Sequence, residues 1–195
     1  MNHNMMERRV ATASGLTVVQ DPTTPANGLR LNGYAVVWDA LSANLGGFKE
    51  RIRKGAFEAS LQRDDQRALF CHESAYVLGR KSASTLTLKE DAKGLFFSIL
   101  PPDTGWARDL LVSIPRRDIS QCSFGFTVDP NGDTWSRQGS MAIREVLKAT
   151  LAEISIVSFP AYEATSVFVR TPMSAEVAAD LARRRLRLQQ LEVRP

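Results

Sequence analysis

Residues 119–129 read Ile-Ser-Gln-Cys-Ser-Phe-Gly-Phe-Thr-Val-Asp, and this stretch decides the fold class. Phe124 and Phe126 alternate with smaller residues, a pattern typical of a β-strand that buries one face. Pro130-Asn-Gly-Asp follows at once and predicts a turn. The stretch therefore predicts a strand that ends in a tight turn, within a domain built mainly of sheets.

The segments on either side carry similar patterns, with two exceptions that indicate helices. Apolar residues recur at helical spacing in residues 55–63 and 106–114, which predicts two short helices there. Further strands are predicted at 29–39, 48–52, 67–72, 85–89, 94–100, 141–147 and 149–159, with 85–89 and 94–100 forming a hairpin. The expected fold class is α+β, with a mostly antiparallel β core and flanking helices.

Three segments are expected along the chain. Residues 1–28 are polar and predict a flexible N-terminal segment, and residues 29–170 contain the strands and helices of the folded domain. Residues 171–195 predict a basic amphipathic C-terminal helix, because residues 174–191 contain neither glycine nor proline. Four arginines fall within six residues there, at 182–187.

Composition narrows the class of protein. Hydrophobic residues make up 44% of the 195 residues and charged residues 24%, as in ordinary globular domains. No stretch approaches the roughly 18 apolar residues of a membrane helix, so no membrane partner is expected. The net charge is only +4, which argues against a specific nucleic-acid partner. With two cysteines, Cys71 and Cys122, a disulfide framework is not expected.

His72 is the first candidate for chemistry. The sequence has two histidines, and the other, His3, lies near the start of the polar N-terminal segment. Imidazole is the side chain suited to proton transfer near neutral pH, so His72 is the candidate general base. A structural or surface histidine at the end of an apolar strand is the competing interpretation.

Ser123 is the candidate nucleophile, and it needs a base because an unassisted hydroxyl is a weak nucleophile. Gly125, two residues later, allows the backbone or a substrate to approach closely. A plain core strand with Phe124 and Phe126 is the competing interpretation. Cys122 is a rival nucleophile, but successive residues of a strand face opposite sides, so one site can use only one of the two.

Glu153 is the candidate orienting acid. It is the only charged residue in Leu151-Ala-Glu-Ile-Ser-Ile-Val-Ser-Phe-Pro, and a carboxylate in an apolar strand is costly unless it is paired. A histidine N–H is one such partner, as in the third position of a catalytic triad. An edge-strand glutamate that faces water is the competing interpretation.

Several of these motifs together resemble one known family. They are Gly33-Tyr-Ala-Val-Val-Trp, Glu50-Arg-Ile-Arg-Lys-Gly-Ala-Phe, Leu69-Phe-Cys-His with Val77-Leu-Gly-Arg, Cys122-Ser-Phe-Gly-Phe, and Leu151-Ala-Glu-Ile-Ser-Ile-Val-Ser-Phe-Pro-Ala-Tyr. In this order they resemble the HK97-type prohead maturation serine proteases of tailed phages. The similarity runs from about residue 33 to residue 166. That family is distantly similar to the herpesvirus assemblins.

The resemblance implies a β-barrel-like core ringed by helices, and a protease domain at 29–170. It implies a serine endopeptidase that processes capsid and scaffold proteins during prohead maturation and also cleaves itself. Ser123 matches the family's nucleophile, His72 its base and Glu153 its acidic position. No cofactor or metal is implied. The oxyanion hole is left open between backbone N–H groups near residues 124–125 and an arginine such as Arg144.

The resemblance also implies partners and a location. The expected partners are the major capsid protein with its scaffolding segment, and further copies of the chain in a dimer or higher oligomer. The expected location is the host cytoplasm, inside the immature capsid. Two alternatives stay open: a non-catalytic capsid-assembly or scaffold module on the same fold, and a hydrolase that depends on Cys122.

Overall fold

The structure is a computed structural model that describes residues 6–11, 14–21 and 28–158, all of them within one compact unit. These ranges contain twelve strands and two helices. The strands are β1 Glu7–Ala11, β2 Ser14–Gln20, β3 Leu29–Val37, β4 Phe48–Ile52, β5 Arg67–Phe70, β6 Glu73–Arg80, β7 Leu86–Glu90, β8 Gly94–Ile99, β9 Gln121–Val128, β10 Asp133–Gln138, β11 Met141–Val146 and β12 Ala149–Val157. The helices are α1 Glu58–Arg63 and α2 Gly105–Ser113.

The strands form three sheets. The largest has the order β1-β9-β12-β5-β6, the second has the order β2-β3-β8-β7, and the smallest has the order β10-β11-β4. Seven of the nine pairings within the described ranges are antiparallel, and only β12 with β5 and β11 with β4 run parallel. The expected mostly antiparallel β core with two flanking helices is therefore confirmed, as is the hairpin of β7 and β8.

The expected barrel-like core is corrected. In the part of the chain that the structure describes, the three sheets are open, and no closed barrel forms. Closure requires each strand to pair on both sides, whereas β1 and β6 lie at the two edges of the largest sheet. Within residues 6–11, 14–21 and 28–158, two short helices accompany the sheets instead of a ring of helices. The C-terminal helix expected at 171–195 lies outside the described residues.

Strands also occur where the polar composition predicted a flexible segment. Within residues 1–28, β1 pairs with β9 and β2 pairs with β3. The described side chains of β1, Glu7, Arg8 and Arg9, are all charged, so the alternation of apolar and polar residues that marks a strand is missing. Backbone pairing with β9 and the ion pairs of Glu7 and Arg9 hold this strand.

The core lies against one face of the largest sheet. Phe57, immediately before α1, packs edge-on against Phe124 and Phe126 of β9, with both ring-centroid distances at 6.1 Å. From α2, Leu110 is buried in the same apolar cluster. This packing fixes β9, the strand that carries the candidate nucleophile, because aromatic pairs in this geometry add to the stabilisation that burial provides.

Candidate active site

The strand β9 has two chemically different faces. Phe124 and Phe126 point into the core, so Ser123 and Gly125, which alternate with them, face the opposite side of the sheet. The competing interpretation of this stretch as a plain core strand is therefore true of one face only. The other face carries polar and small residues that contact the neighbouring strand.

The strand β9 pairs along one edge with β12 in antiparallel register, and this register decides which β12 residues lie on the same face as Ser123. Ser123 lies opposite Ser155, and Gly125 lies opposite Glu153. Directly opposed residues of an antiparallel pair project to the same side, with Cβ atoms about 4.5–5.5 Å apart. The nucleophile candidate and the acid candidate therefore share one face of the sheet, two positions apart on neighbouring strands.

His72 reaches the same face from a tight turn. Phe70 pairs with Glu73, which leaves Cys71 and His72 as a two-residue connection between β5 and β6. Both connecting residues have positive φ, 51° for Cys71 and 63° for His72, as in a type I′ hairpin turn. Residues other than glycine seldom adopt this conformation, so surrounding contacts must hold His72 in place.

Two hydrogen bonds hold His72. Its ring Nδ1 lies 2.7 Å from Glu153 Oε1, and its backbone N–H donates to the Ser155 hydroxyl over 3.2 Å. Glu153 is 6% exposed, so this carboxylate does not face water as its competing interpretation held. In the neutral tautomer that donates from Nδ1 to this carboxylate, the lone pair of Nε2 is left to act as a base.

Ser155 links the other parts of the site, and sequence reasoning did not single it out. Its hydroxyl accepts from the His72 N–H and donates to Glu153 Oε2 over 2.7 Å. The side chain is buried at 1% exposure. One signal was present in the sequence: Ser155 follows Glu153 by two residues, so a strand places both on the same face.

Gly125 makes room for the Glu153 carboxylate. A Cβ atom built on Gly125 would lie 2.7 Å from Glu153 Oε1, well inside van der Waals contact. The close approach expected at this glycine therefore involves the carboxylate that binds His72.

Replacing Gly125 with alanine is expected to lower the cleavage rate about 10- to 100-fold, because an added methyl group displaces the carboxylate from His72 and misplacements near 1 Å cost this much. Folding should be little affected, since a flexible side-chain end can move away. Cleavage rate and melting temperature measured together check this. Gly105→Ala is the matched control, because open space surrounds that position. An unchanged rate for Gly125→Ala would contradict this role of the glycine.

Ser123 lies on the shared face, but its hydroxyl has a different partner. It donates to the backbone carbonyl of Arg9 in β1 over 2.9 Å. Among the described residues, no hydrogen bond joins Ser123 to His72. The structure thus brings His72 and Glu153 into contact. It places Ser123 opposite Ser155, and the Ser123 hydroxyl points to β1.

Cys122 and Arg144 lie in other environments. Cys122 is 0% exposed in the apolar core, where burial raises the pKa of its thiol and so disfavours the nucleophilic thiolate. Arg144 Nε contacts Asp133, and its Nη1 contacts Glu7 over 2.7 Å and Glu50 over 3.0 Å. This arginine, one of the two alternatives for the oxyanion hole, is held in a buried ion cluster.

In residues 6–11, 14–21 and 28–158, no group of three or more His, Cys, Asp or Glu side chains has an arrangement that could hold a metal ion. Neither described helix has the length and apolar character needed to cross a membrane.

Comparison with known proteins places the chain among the proteases. More particularly, it belongs to the caudovirus prohead serine protease family, whose model matches residues 17–179. The relationship expected from the sequence motifs is confirmed at this level.

A solved structure has a similar architecture. The bacteriophage T4 capsid assembly protease, gp21, superposes with a TM-score of 0.51, covering 82% of this chain and 100% of that chain. Its sequence is 10% identical, so the likeness concerns the fold. No curated protein sequence matches the chain.

Proposed function

We propose that the chain is a serine endopeptidase in which Ser123 is the nucleophile, His72 the general base and Glu153 the orienting acid. One observation carries this assignment: the 2.7 Å contact between His72 Nδ1 and Glu153, on the face of the sheet that Ser123 shares. This contact supports the role of His72 as the base, because a carboxylate at Nδ1 leaves the lone pair of Nε2 for the serine proton.

The chemistry follows from these roles. Ser123 Oγ attacks the scissile carbonyl carbon while its proton passes to His72 Nε2, and Glu153 stabilises the imidazolium that forms. The tetrahedral intermediate then collapses, the carbon–nitrogen bond breaks, and His72 gives the proton to the leaving amine. Water attacks the acyl-enzyme by the same route and restores the serine. Before the first step the Ser123 hydroxyl must turn from the Arg9 carbonyl to His72.

The proposed substrates are capsid and scaffold proteins inside the immature phage capsid, in the host cytoplasm. Membership of the prohead protease family supports this, as does the fold shared with a capsid assembly protease. Self-cleavage and assembly into a dimer or higher oligomer belong to the same proposal. The role of residues 171–195 stays a prediction, since they lie outside the described structure.

Cys122 is a poor alternative nucleophile. Its side chain belongs to the apolar core cluster, on the opposite face of β9 from Glu153 and His72. Its burial keeps the thiol protonated. A cysteine protease would instead need a partly exposed thiol in an electropositive setting.

Fluorophosphonate labelling of the chain co-expressed with its capsid and scaffold proteins tests the assignment. The expected result is one adduct on the peptide that contains Ser123, with labelling and capsid cleavage unchanged in Cys122→Ala. If cleavage is lost in Cys122→Ala while the variant stays folded, the thiol is the nucleophile. If the chain enters shells and neither labelling nor cleavage occurs, the non-catalytic assembly module is correct.

A further inference from the structure

The strand β12 changes face at one point, directly before Glu153. Leu151 lies opposite Phe126 and is buried in the apolar core, whereas Glu153 lies opposite Gly125 and contacts His72. Side chains two residues apart on a regular strand point to the same side of a sheet. A regular strand that buries Leu151 would therefore also turn the Glu153 carboxylate into the core.

An extra residue in β12 removes this conflict. Leu151 and Glu153 pair with adjacent residues of β9, so Ala152 has no partner of its own in β9 and forms a β-bulge. After the bulge, Ile154 lies in the core cluster, three residues after Leu151 instead of two. Bulges next to active sites commonly re-aim a side chain. This bulge decides which face of the sheet the proposed orienting acid occupies.

Two polar side chains hold the backbone where the bulge begins. Because β5 starts at Arg67, opposite Glu153, no strand in the described part of the chain covers that edge of β12 at Leu151. The Leu151 N–H instead donates to the Ser60 hydroxyl over 2.9 Å, and the Gln66 amide nitrogen lies 3.5 Å from the Leu151 carbonyl oxygen. Ser60 and Gln66 thus take the place of a neighbouring strand at this position.

Both polar side chains are themselves fixed in the interior. Ser60 and Gln66 have exposed fractions of 1% and 0%, and such burial is costly unless the polar groups are paired. The Ser60 hydroxyl lies 3.0 Å from the Asp64 carboxylate, and the Gln66 amide donates to the Ser60 carbonyl over 2.9 Å. Ser60, in α1, therefore connects that helix to the backbone of β12 directly before the candidate acid.

We propose that Ser60 and Gln66 are positioning residues for cleavage: they fix the backbone at Leu151, keep the bulge ahead of Glu153 and so hold its carboxylate against His72. This rests on the proposed function, and it adds the cause of the acid's orientation. If the bulge moved past Glu153, this carboxylate would join Leu151 on the core face. His72 would then lose the partner of its Nδ1.

A double-mutant cycle in the full-length chain tests the proposal. Ser60→Ala leaves the Leu151 N–H without its acceptor, and we expect kcat for capsid and scaffold cleavage to fall about 10- to 100-fold with KM little changed, because misplacements near 1 Å cost this much. In the Glu153→Gln background, Ser60→Ala should lower kcat less than about 3-fold, since the carboxylate that it positions is already absent. Equal fold losses in the two backgrounds would overturn the proposal.

Ser42→Ala is the matched control for Ser60→Ala. The Ser42 hydroxyl accepts from the Glu50 N–H of β4 over 2.9 Å, so the same kind of hydrogen bond is removed in another sheet. The melting temperature should fall and kcat should stay at the wild-type value. A fall in kcat as large as that of Ser60→Ala would show that kcat follows stability, against the proposal. If Ser60→Ala does not fold, Ser60→Cys, whose thiol is a weaker hydrogen-bonding group, enters the same cycle under the same criterion.

NMR spectra of the His72 ring nitrogens separate this inference from the proposed function. In a His3→Gln background, His72 is the remaining histidine of the sequence, and its two nitrogen shifts at a pH where the ring is neutral report which nitrogen carries the proton. We expect the proton on Nδ1, and a shift toward Nε2 in Ser60→Ala. Such a shift, together with full cleavage by Ser123→Ala, would support the positioning role and overturn the serine mechanism. Unchanged nitrogen shifts in folded Ser60→Ala would overturn the positioning role, whatever nucleophile the protein uses.

Discussion

Replacing Ser123 with alanine is expected to lower the rate of capsid and scaffold cleavage about 10⁴- to 10⁶-fold, because the nucleophile of a serine protease acts as a unit with its base. The residual rate enhancement of the variant comes from substrate binding and from polarisation of the scissile carbonyl. The fold should survive, since within the described part of the chain the side-chain hydrogen bond to Arg9 is the only one lost, worth about 1 kcal/mol. The measurement is the cleavage rate of the co-expressed substrate.

A nearby serine gives the control for this experiment. Ser120 is exposed and lies immediately before β9, so Ser120→Ala should cleave at the wild-type rate. Circular dichroism and melting temperature establish that Ser123→Ala is folded. Substantial cleavage by folded Ser123→Ala would show that another group attacks the substrate.

Replacing Glu153 with glutamine is expected to lower kcat/KM about 10³- to 10⁴-fold with little change in stability. The two side chains have the same shape, but an amide can donate to His72 Nδ1 and so stabilise the tautomer whose Nε2 carries the proton. A base in that tautomer cannot accept the serine proton, and a similar substitution in a well-studied triad costs about 10⁴. The rate of substrate cleavage at saturating concentration gives kcat, and the rate at limiting concentration gives kcat/KM.

Glu73→Gln is the matched control for Glu153→Gln. Glu73 follows His72 directly and is exposed, so the same change of charge occurs beside the base without touching its hydrogen bonds. It should retain wild-type kcat/KM. A loss below about 10-fold in Glu153→Gln would mean that the carboxylate does not orient the base.

The sequence predicted those strands whose side chains alternate in polarity. The expected strand at 48–52 matches β4, and those at 29–39 and 149–159 match β3 and β12 within two residues at each end. β10 was missed because it reads Asp-Thr-Trp-Ser-Arg-Gln, with Trp135 alone providing an apolar contact, against Phe48. Backbone pairing with β11 stabilises this strand, and such pairing leaves no periodic pattern in the sequence.

The candidate site was predictable as residue types but not as a set of contacts. His72 was identified because histidines are scarce in the sequence, and Glu153 because it is a lone charge in an apolar strand. Both properties can be read from the sequence around the residue itself. The Ser123–Arg9 hydrogen bond joins residues 114 positions apart, and the His72–Glu153 contact joins residues 81 apart. Only the order of the strands in the sheet, which depends on long-range pairing, brings these groups together.

The turn that presents His72 has a consequence for how members of this fold can diverge. Positive φ at both Cys71 and His72 suits asparagine and glycine far better, and each such strained residue costs about 1–3 kcal/mol. Selection for stability alone would therefore replace the pair, whereas selection for cleavage must keep the histidine. A descendant that assembles shells without cutting them is expected to acquire Asn-Gly at 71–72. The residues at these two positions therefore distinguish catalytically active members from inactive ones.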